Sequence, residues 1–386
     1  MPILTPSQAA EIARGVYDLR SQSVADALKT GIGTDGLFAI EDGSTFSGKS
    51  GALMFKKLST FGYIARGIGP FAGEVLVATR GTAMLADWVT DANIGMQLGP
   101  SSLIVHAGFN DTWKSYASEL RSFFQHHNPT RVHCVGHSLG GALATLNADY
   151  CSVHRIAQVE LYTFGCPRVG DGFFARSLTN RLGAGSIHRV SHPADPVPMI
   201  PLFPFWHLPF GQHGLGIAAT SNALISFGAH GMEPIYIPGV RDHSWATLGH
   251  GGVGADADQR VRSWLEQAAD GQGAFAMGSA TLLSMIGRAL RWLLARAGQA
   301  VMGGIGVAVT ASATLLDQLA WLLGRAAQLS KEVVGYVKGL IGAIFGFLGR
   351  KIAGTADVTT AFLRWMLELL FTSLRAVAVR ALALLA

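Results

Sequence analysis

Residues 132–146, Val-His-Cys-Val-Gly-His-Ser-Leu-Gly-Gly-Ala-Leu-Ala-Thr-Leu, constrain this chain more tightly than any other stretch. An apolar run, a G-x-S-x-G turn and a run of small apolar residues predict a strand, a tight turn centred on Ser138 and a helix, with the serine hydroxyl presented at the turn. Such a turn holds its central residue at a strained backbone position, so Gly136 and Gly140 are needed to keep Cβ atoms out of the strand–helix crossing. The helix begins directly beneath the serine. Its first N–H groups and the positive end of its dipole therefore lie where negative charge could develop, and the Leu139 N–H is the first candidate donor to an oxyanion.

A serine hydroxyl becomes a useful nucleophile only when a histidine takes its proton and an acid fixes that histidine's tautomer. Asp195 lies where a short apolar strand, Ile187-His188-Arg189-Val190, runs out into the proline-rich segment 193–198. That is the loop end of a strand, where α/β enzymes keep their chemistry. Asp171 competes for the acid role, but it lies just before the helix that begins with Phe173-Phe174-Ala175 and reads more simply as its cap. Five histidines follow Asp195: His207, His213, His230, His243 and His250. His207 and His213 fall in an aromatic, glycine-containing stretch that reads as a substrate-facing loop. His243 follows a segment, 234–239, that reads as extended, and a turn through Arg241-Asp242, as a loop-borne base would.

Taken in order, these residues resemble the class 3 lipases, the fungal-type triacylglycerol lipase family of the α/β-hydrolases, over roughly residues 60–255. The family's Arg-Gly-Thr matches Arg80-Gly81-Thr82, its D-W-x-x-D matches Asp87 to Asp91, and its V-H-x-G-F matches Val105 to Phe109. G-H-S-L-G-G is Gly136 to Gly141, F-G-x-P-R-V-G is Phe164 to Gly170, D-P-V-P is Asp195 to Pro198, and the terminal D-H is Asp242-His243. The resemblance implies an α/β-hydrolase fold with a mostly parallel central sheet, Ser138 as nucleophile, Asp195 as acid, His243 as base, and an oxyanion hole from the N–H groups of Thr82 and Leu139. It implies hydrolysis of long-chain acyl esters of lipids through an acyl-enzyme intermediate. An insertion-like segment over about 201–233 departs from the family pattern.

That chemistry calls for no cofactor and no metal. Cys134, Cys151 and Cys166 have no ligand-like spacing and read as reduced apolar residues. The first 60 residues read as a helical lead-in, starting at Thr5-Pro6-Ser7, followed by one or two short strands without identifiable chemistry. They lack an apolar signal core, so the expectation is a cytoplasmic or membrane-associated protein, or export by a leaderless route. Residues 43–49, Gly-Ser-Thr-Phe-Ser-Gly-Lys, miss the frame of a phosphate loop. The catalytic unit is expected over 61–270, its last helix starting near Ala255 with Trp264 and Leu265 buried and its boundary at Asp270 to Gly273.

Beyond residue 275 the chain changes character. Lysine and arginine outnumber acids 11 to 4 there, and Ala297 to Leu316 carries no charge over 20 residues, enough to reach across hydrocarbon. The expectation is a hydrophobic, basic helical region in contact with a membrane surface, bringing the enzyme to phospholipid or triacylglycerol. An intramolecular helical bundle, or a chaperone or partner protein covering the same faces, is the alternative. No basic strip interleaved with aromatics points to nucleic acid. A leaderless lipase domain joined to an extra domain is also the layout of some antibacterial toxins. A short-chain esterase, a thioesterase and a non-catalytic or pore-forming membrane protein are the competing functional readings.

Overall fold

The computed structural model describes residues 2–20, 34–50, 57–81, 95–192, 195–201, 205–212, 214–218, 227–250, 257–269, 315–328, 330–350 and 358–383, with a few positions between 282 and 293. Thr82, the 87–91 motif, His213, the proposed boundary at 270–273 and residues 297–314 of the uncharged run lie outside the described residues.

Among the described residues, twelve strands form two sheets. They are β1 (Phe38–Ser50), β2 (Lys57–Gly67), β3 (Val75–Thr79), β4 (Met96–Leu98), β5 (Ile104–His106), β6 (Arg131–His137), β7 (Gln158–Phe164), β8 (Gly170–Asp171), β9 (Ile187–Ser191), β10 (Phe205–Trp206), β11 (Leu215–Gly216) and β12 (Gly249–His250). The central sheet runs β1-β2-β3-β6-β7-β9-β11-β12, and a small sheet runs β10-β8-β5-β4. In the central sheet β3, β6, β7, β9 and β11 are parallel neighbours, while β1, β2 and β3 form an antiparallel edge and β12 closes the other edge antiparallel to β11. The sheet is therefore mixed but largely parallel, with its antiparallel pairs confined to the two edges. The reason is local: β1 and β2 follow each other closely enough in sequence to pair as a hairpin, which leaves no room for the crossover that a parallel pair needs.

Side chains on the central strands alternate between two cores. Val75 and Val77 of β3 and Val132 and Cys134 of β6 point into one, beneath the helix Leu139–Val153 and its neighbours Ala107–Lys114 and Gly172–Leu182. Leu76 and Ala78 of β3, Val135 of β6 and Tyr162 of β7 point into the other, against the helix Pro6–Gly15. That helix starts with a reciprocal cap in which the Thr5 side chain accepts from the Gln8 N–H and the Gln8 side chain accepts from the Thr5 N–H. Asp171 caps the helix Gly172–Leu182, its Oδ1 accepting the Phe174 N–H at 2.8 Å. Residues 43–49 lie within β1. At the end of the sheet remote from Ser138, Arg131, Glu74, Glu160, His133 and His188 form a buried polar group, and the Arg131 guanidinium donates to the Pro2 carbonyl.

The C-terminal region corrects the sequence expectation of a hydrophobic helical region suited to a membrane. Its helices, Leu315–Ala327, Lys331–Phe347 and Thr360–Ala383, bury their apolar faces on each other and on Ala257–Ala269. Leu316, Leu319, Leu323, Leu363, Leu367 and Leu370, at helical spacing, are all buried. Arg364 pairs with Asp317 across the helices at 2.5 Å, and Arg262 with Glu332 at 2.8 Å. Among the described residues, no helix is long and apolar enough to cross a membrane.

The contact between Ala257–Ala269 and Lys331–Phe347 is close because position 339 is glycine: a Cβ there would lie 2.2 Å from the Leu265 carbonyl oxygen, whereas one at Gly335 would meet nothing within 4 Å. Ordinary helix propensity favours Ala over Gly by about 1 kcal/mol. Gly335→Ala should therefore raise stability by roughly that amount. Gly339→Ala should lower it by about 1–3 kcal/mol through overpacking. Urea denaturation of the two variants checks the opposite signs; two shifts in the same direction would reject this packing.

Candidate active site

Ser138 sits between β6 and the helix Leu139–Val153 with φ 60° and ψ −131°, a left-handed conformation that a side chain rarely adopts. The surroundings enforce it. A Cβ at Gly136 would lie 2.2 Å from the Gly140 carbonyl oxygen, and one at Gly140 would lie 2.2 Å from the Thr79 carbonyl oxygen. The Ser138 N–H donates to the Phe164 carbonyl at 3.0 Å, and the Thr79 hydroxyl donates to the Gly140 carbonyl at 2.7 Å. Leu139 is the first residue of the helix, so its N–H is among those without an intrahelical acceptor.

Asp195 and His230 meet the serine. His230 Nε2 lies 2.9 Å from Ser138 Oγ, and its Nδ1 lies 2.8 Å from Asp195 Oδ2. The ring nitrogen facing the carboxylate carries the proton, so the other accepts from the hydroxyl. Asp195 is itself held: its Oδ1 accepts the Val197 N–H at 2.9 Å, and its Oδ2 accepts the Tyr236 hydroxyl at 2.6 Å. Tyr236 in turn accepts the His192 N–H at 3.2 Å. Burial pushes the Tyr236 hydroxyl well above its ordinary range, and the Asp195 charge adds to this, so it stays a proton donor. The three groups can move a proton from Oγ to an imidazole whose tautomer and orientation are fixed.

The structure does not bring His243 to this group. His243 lies on an exposed turn, its Nδ1 3.4 Å from the Thr247 hydroxyl. The segment expected to be extended before it is helical, a π-helical turn over Met232–Tyr236 followed by Ile237–Val240. Met232, Tyr236 and Val240 are buried one helical turn apart, and that spacing is the sequence signal that would have identified it. Once 232–240 is helical, His230 rather than His243 stands at its entry. The insertion-like segment thus supplies the histidine, from the short turn Phe227–His230. It also adds β10 to the small sheet and β11 to the central one. His207 lines a small cavity beside Trp206 and Arg189, His250 lies in β12, and Asp171 acts as a helix cap. Among the described residues, no group of three or more acidic, histidine or cysteine side chains is arranged to hold a metal. Burial pushes the Cys166 thiol up to about 12.

A central sheet with parallel strands at its heart, a serine at a strained strand-to-helix turn and an Asp–His–Ser hydrogen-bonded chain define an α/β-hydrolase. Residues 76–205 match the class 3 lipase family model. The chain is similar to secreted mono- and diacylglycerol lipase 1 of Fusarium solani, 39% identical over 134 residues, which make up 33% of this chain and 39% of that protein. It is also similar to secreted mono- and diacylglycerol lipase A of Penicillium cyclopium, 30% identical over 174 residues, or 43% of this chain and 55% of that protein. The chain thus spans about half the length, or less, of these curated relatives. Among solved structures, lipase II from Rhizopus niveus aligns with a TM-score of 0.43 at 23% identity, covering 57% of this chain and 80% of that one.

Three buried imidazoles are held neutral. Burial pushes His137 well below the ordinary histidine value; neighbouring His230 adds to this and the bond to its carbonyl opposes it. Burial also lowers His133 and His192. Because these rings take up protons less readily in the folded state than in the unfolded chain, stability present above the unfolded value of about 6.5 is lost as pH falls below it. The free energy of unfolding should be flat above about pH 7.5 and should then fall, with His137 alone able to contribute up to about 1.4 kcal/mol per pH unit. Urea midpoints measured from pH 8 to pH 5 check this. An unchanged midpoint across that range would contradict the burial of neutral rings.

Proposed function

We propose that this chain hydrolyses carboxylic esters of acyl lipids, with Ser138 as nucleophile, His230 as general base and acid, and Asp195 as the residue that orients His230. The observation that carries the reading is His230 bridging Ser138 Oγ and Asp195 Oδ2 at 2.9 and 2.8 Å with every side chain of the group buried. Ser138 Oγ attacks the ester carbonyl carbon while His230 Nε2 takes the hydroxyl proton. The carbonyl oxygen becomes an oxyanion facing the Leu139 N–H, with the Thr82 N–H as second donor by the family resemblance. The tetrahedral intermediate collapses, the alcohol leaves with the proton from His230, and Ser138 is left acylated. Water then attacks the acyl carbon, giving its proton to His230, and the acid is released as Oγ recovers the proton.

A lipid substrate fits the class 3 lipase assignment. The finer choice within it is a glycerolipid met at a membrane or droplet surface. Two relatives support it by name, the mono- and diacylglycerol lipase of Fusarium solani and phospholipase A1-II 1 of Oryza sativa subsp. indica, the latter 32% identical over 136 residues. Exposed Phe173, Trp321 and Trp365 are side chains that such a surface would take up. A separate partner to cover the C-terminal helices is not needed for the apolar residues they bury on each other.

Ser138→Ala and His230→Ala should each lower kcat on a chromogenic long-chain ester by about 10⁴-fold or more, and Asp195→Asn by about 10⁴-fold, because the members of such a triad act as a unit. His243→Ala should stay within about threefold of wild type. Active His230→Ala with inactive His243→Ala would overturn the assignment of the base. Mass analysis of lipids after reaction with mixed diacylglycerol and phosphatidylcholine vesicles would report the ester cleaved. Turnover confined to soluble short-chain esters would favour an esterase.

A further inference from the structure

His137, the residue before the serine, is fully buried and uses both ring nitrogens. Its Nε2 lies 2.8 Å from the backbone carbonyl oxygen of His230, which can only accept, so Nε2 carries the proton. In a neutral ring Nδ1 is then the acceptor, and the Tyr17 hydroxyl, 2.9 Å away, donates to it. The Tyr17 oxygen in turn accepts the Gly81 N–H at 3.1 Å. Every donor and acceptor along Gly81, Tyr17, His137 and His230 therefore has one consistent direction. The rings of His137 and His230 lie side by side, 4.5 Å between centroids. Tyr17 comes from the turn Val16–Arg20 in the lead-in, far from the serine in sequence.

Each attachment point of this relay is covalently next to a reacting group. Gly81 precedes Thr82, His137 precedes Ser138, and the carbonyl belongs to His230 itself. We infer that His137 is a positioning residue that locks the histidine-bearing turn and the oxyanion arm in register with Ser138, with Tyr17 as the second member of the lock; this rests on the triad reading above. His137 does not act as a base, because neither nitrogen is available to a substrate proton. Its task is geometric. The turn Phe227–His230 is short, and the bond to its last carbonyl fixes how far the His230 ring stands from Oγ. Loss of that bond lets the ring retreat, and a displacement near 1 Å costs about 100-fold in rate.

The test uses the full chain and a soluble chromogenic ester, with competent serines counted by a fluorophosphonate label. His137→Phe keeps a ring and removes both bonds; it should lower kcat per labelled serine about 100-fold while KM stays within about threefold. Tyr17→Phe should lower kcat about 10-fold, and the double variant should be no slower than His137→Phe, because both act through one chain. His137→Gln, which restores an N–H donor for the His230 carbonyl, should recover part of the loss. A merely structural histidine would lower the melting temperature and the number of labelled serines but leave kcat per serine unchanged, and that result would overturn the inference, as would additive losses in the double variant. Should His137→Phe fail to fold, Tyr17→Phe decides alone, since its phenyl ring fills the same space: wild-type kcat in it overturns the lock. Ser138→Ala run beside them separates the two readings. An active Ser138→Ala would remove the triad itself, whereas an inactive one beside unimpaired His137→Phe and Tyr17→Phe would remove only the lock.

Discussion

The close approach of the helix Leu139–Val153 to the ends of β3 and β6 sets the geometry of the whole site. With glycine at 136 and 140 the helix can enter directly over the strands, and the Thr79 hydroxyl bridges the crossing to the Gly140 carbonyl. Ser138 is forced to a positive φ as a consequence, which aims its side chain away from both elements. The same approach places the first helical N–H groups beside the hydroxyl. Strain in one residue and helix N–H groups without intrahelical acceptors next to it are thus two results of a single packing contact.

Around that contact the buried polar groups are satisfied in directed chains. Asp195 accepts from Val197, Tyr236 and His230, which keeps a carboxylate inside the protein without a salt-bridge partner on every side. A buried charge is tolerable on these terms because each oxygen meets donors. His137 and Tyr17 extend the order outward to the first residues of the chain. The N-terminal lead-in is also tied to the sheet by the bond of the Leu4 N–H to the Tyr162 hydroxyl and of the Trp245 indole N–H to the Leu4 carbonyl. A segment that carries no reacting group therefore helps to fix where those groups stand.

The C-terminal helices show how composition can mislead about solvent. Their leucines repeat at three- and four-residue intervals, and paired helices bury such faces as completely as a membrane would. Gly339 lets two backbones approach, and the ion pairs of Arg364 with Asp317 and of Arg262 with Glu332 lie on the exposed rim. Exposed pairs of this kind are screened by solvent and contribute little, so the packing of the leucines holds the bundle. The helix Thr360–Ala383 also packs against the turn Phe227–His230, which links the bundle to the segment that carries the histidine.

Local sequence was enough for the strand–turn–helix around Ser138, for the cap at Asp171 and for Asp195 at the end of β9, because each depends on residues within a few positions of itself. The antiparallel edge of the sheet depended on the pairing of β1 with β2, and the fate of the C-terminal apolar faces on which helices meet. The histidine was a tertiary decision throughout. His230 follows Phe-Gly-Ala and His243 follows Arg-Asp, and neither local context sets a distance to Ser138: His230 reaches it only when Met232, Tyr236 and Val240 pack as a helix, which leaves His243 exposed. The role of Tyr17 was equally illegible, since a hydrogen bond across 120 residues has no local signature. Short-range rules fix what one turn or helix will do; which side chains then meet is set by the burial of faces that lie far apart along the chain.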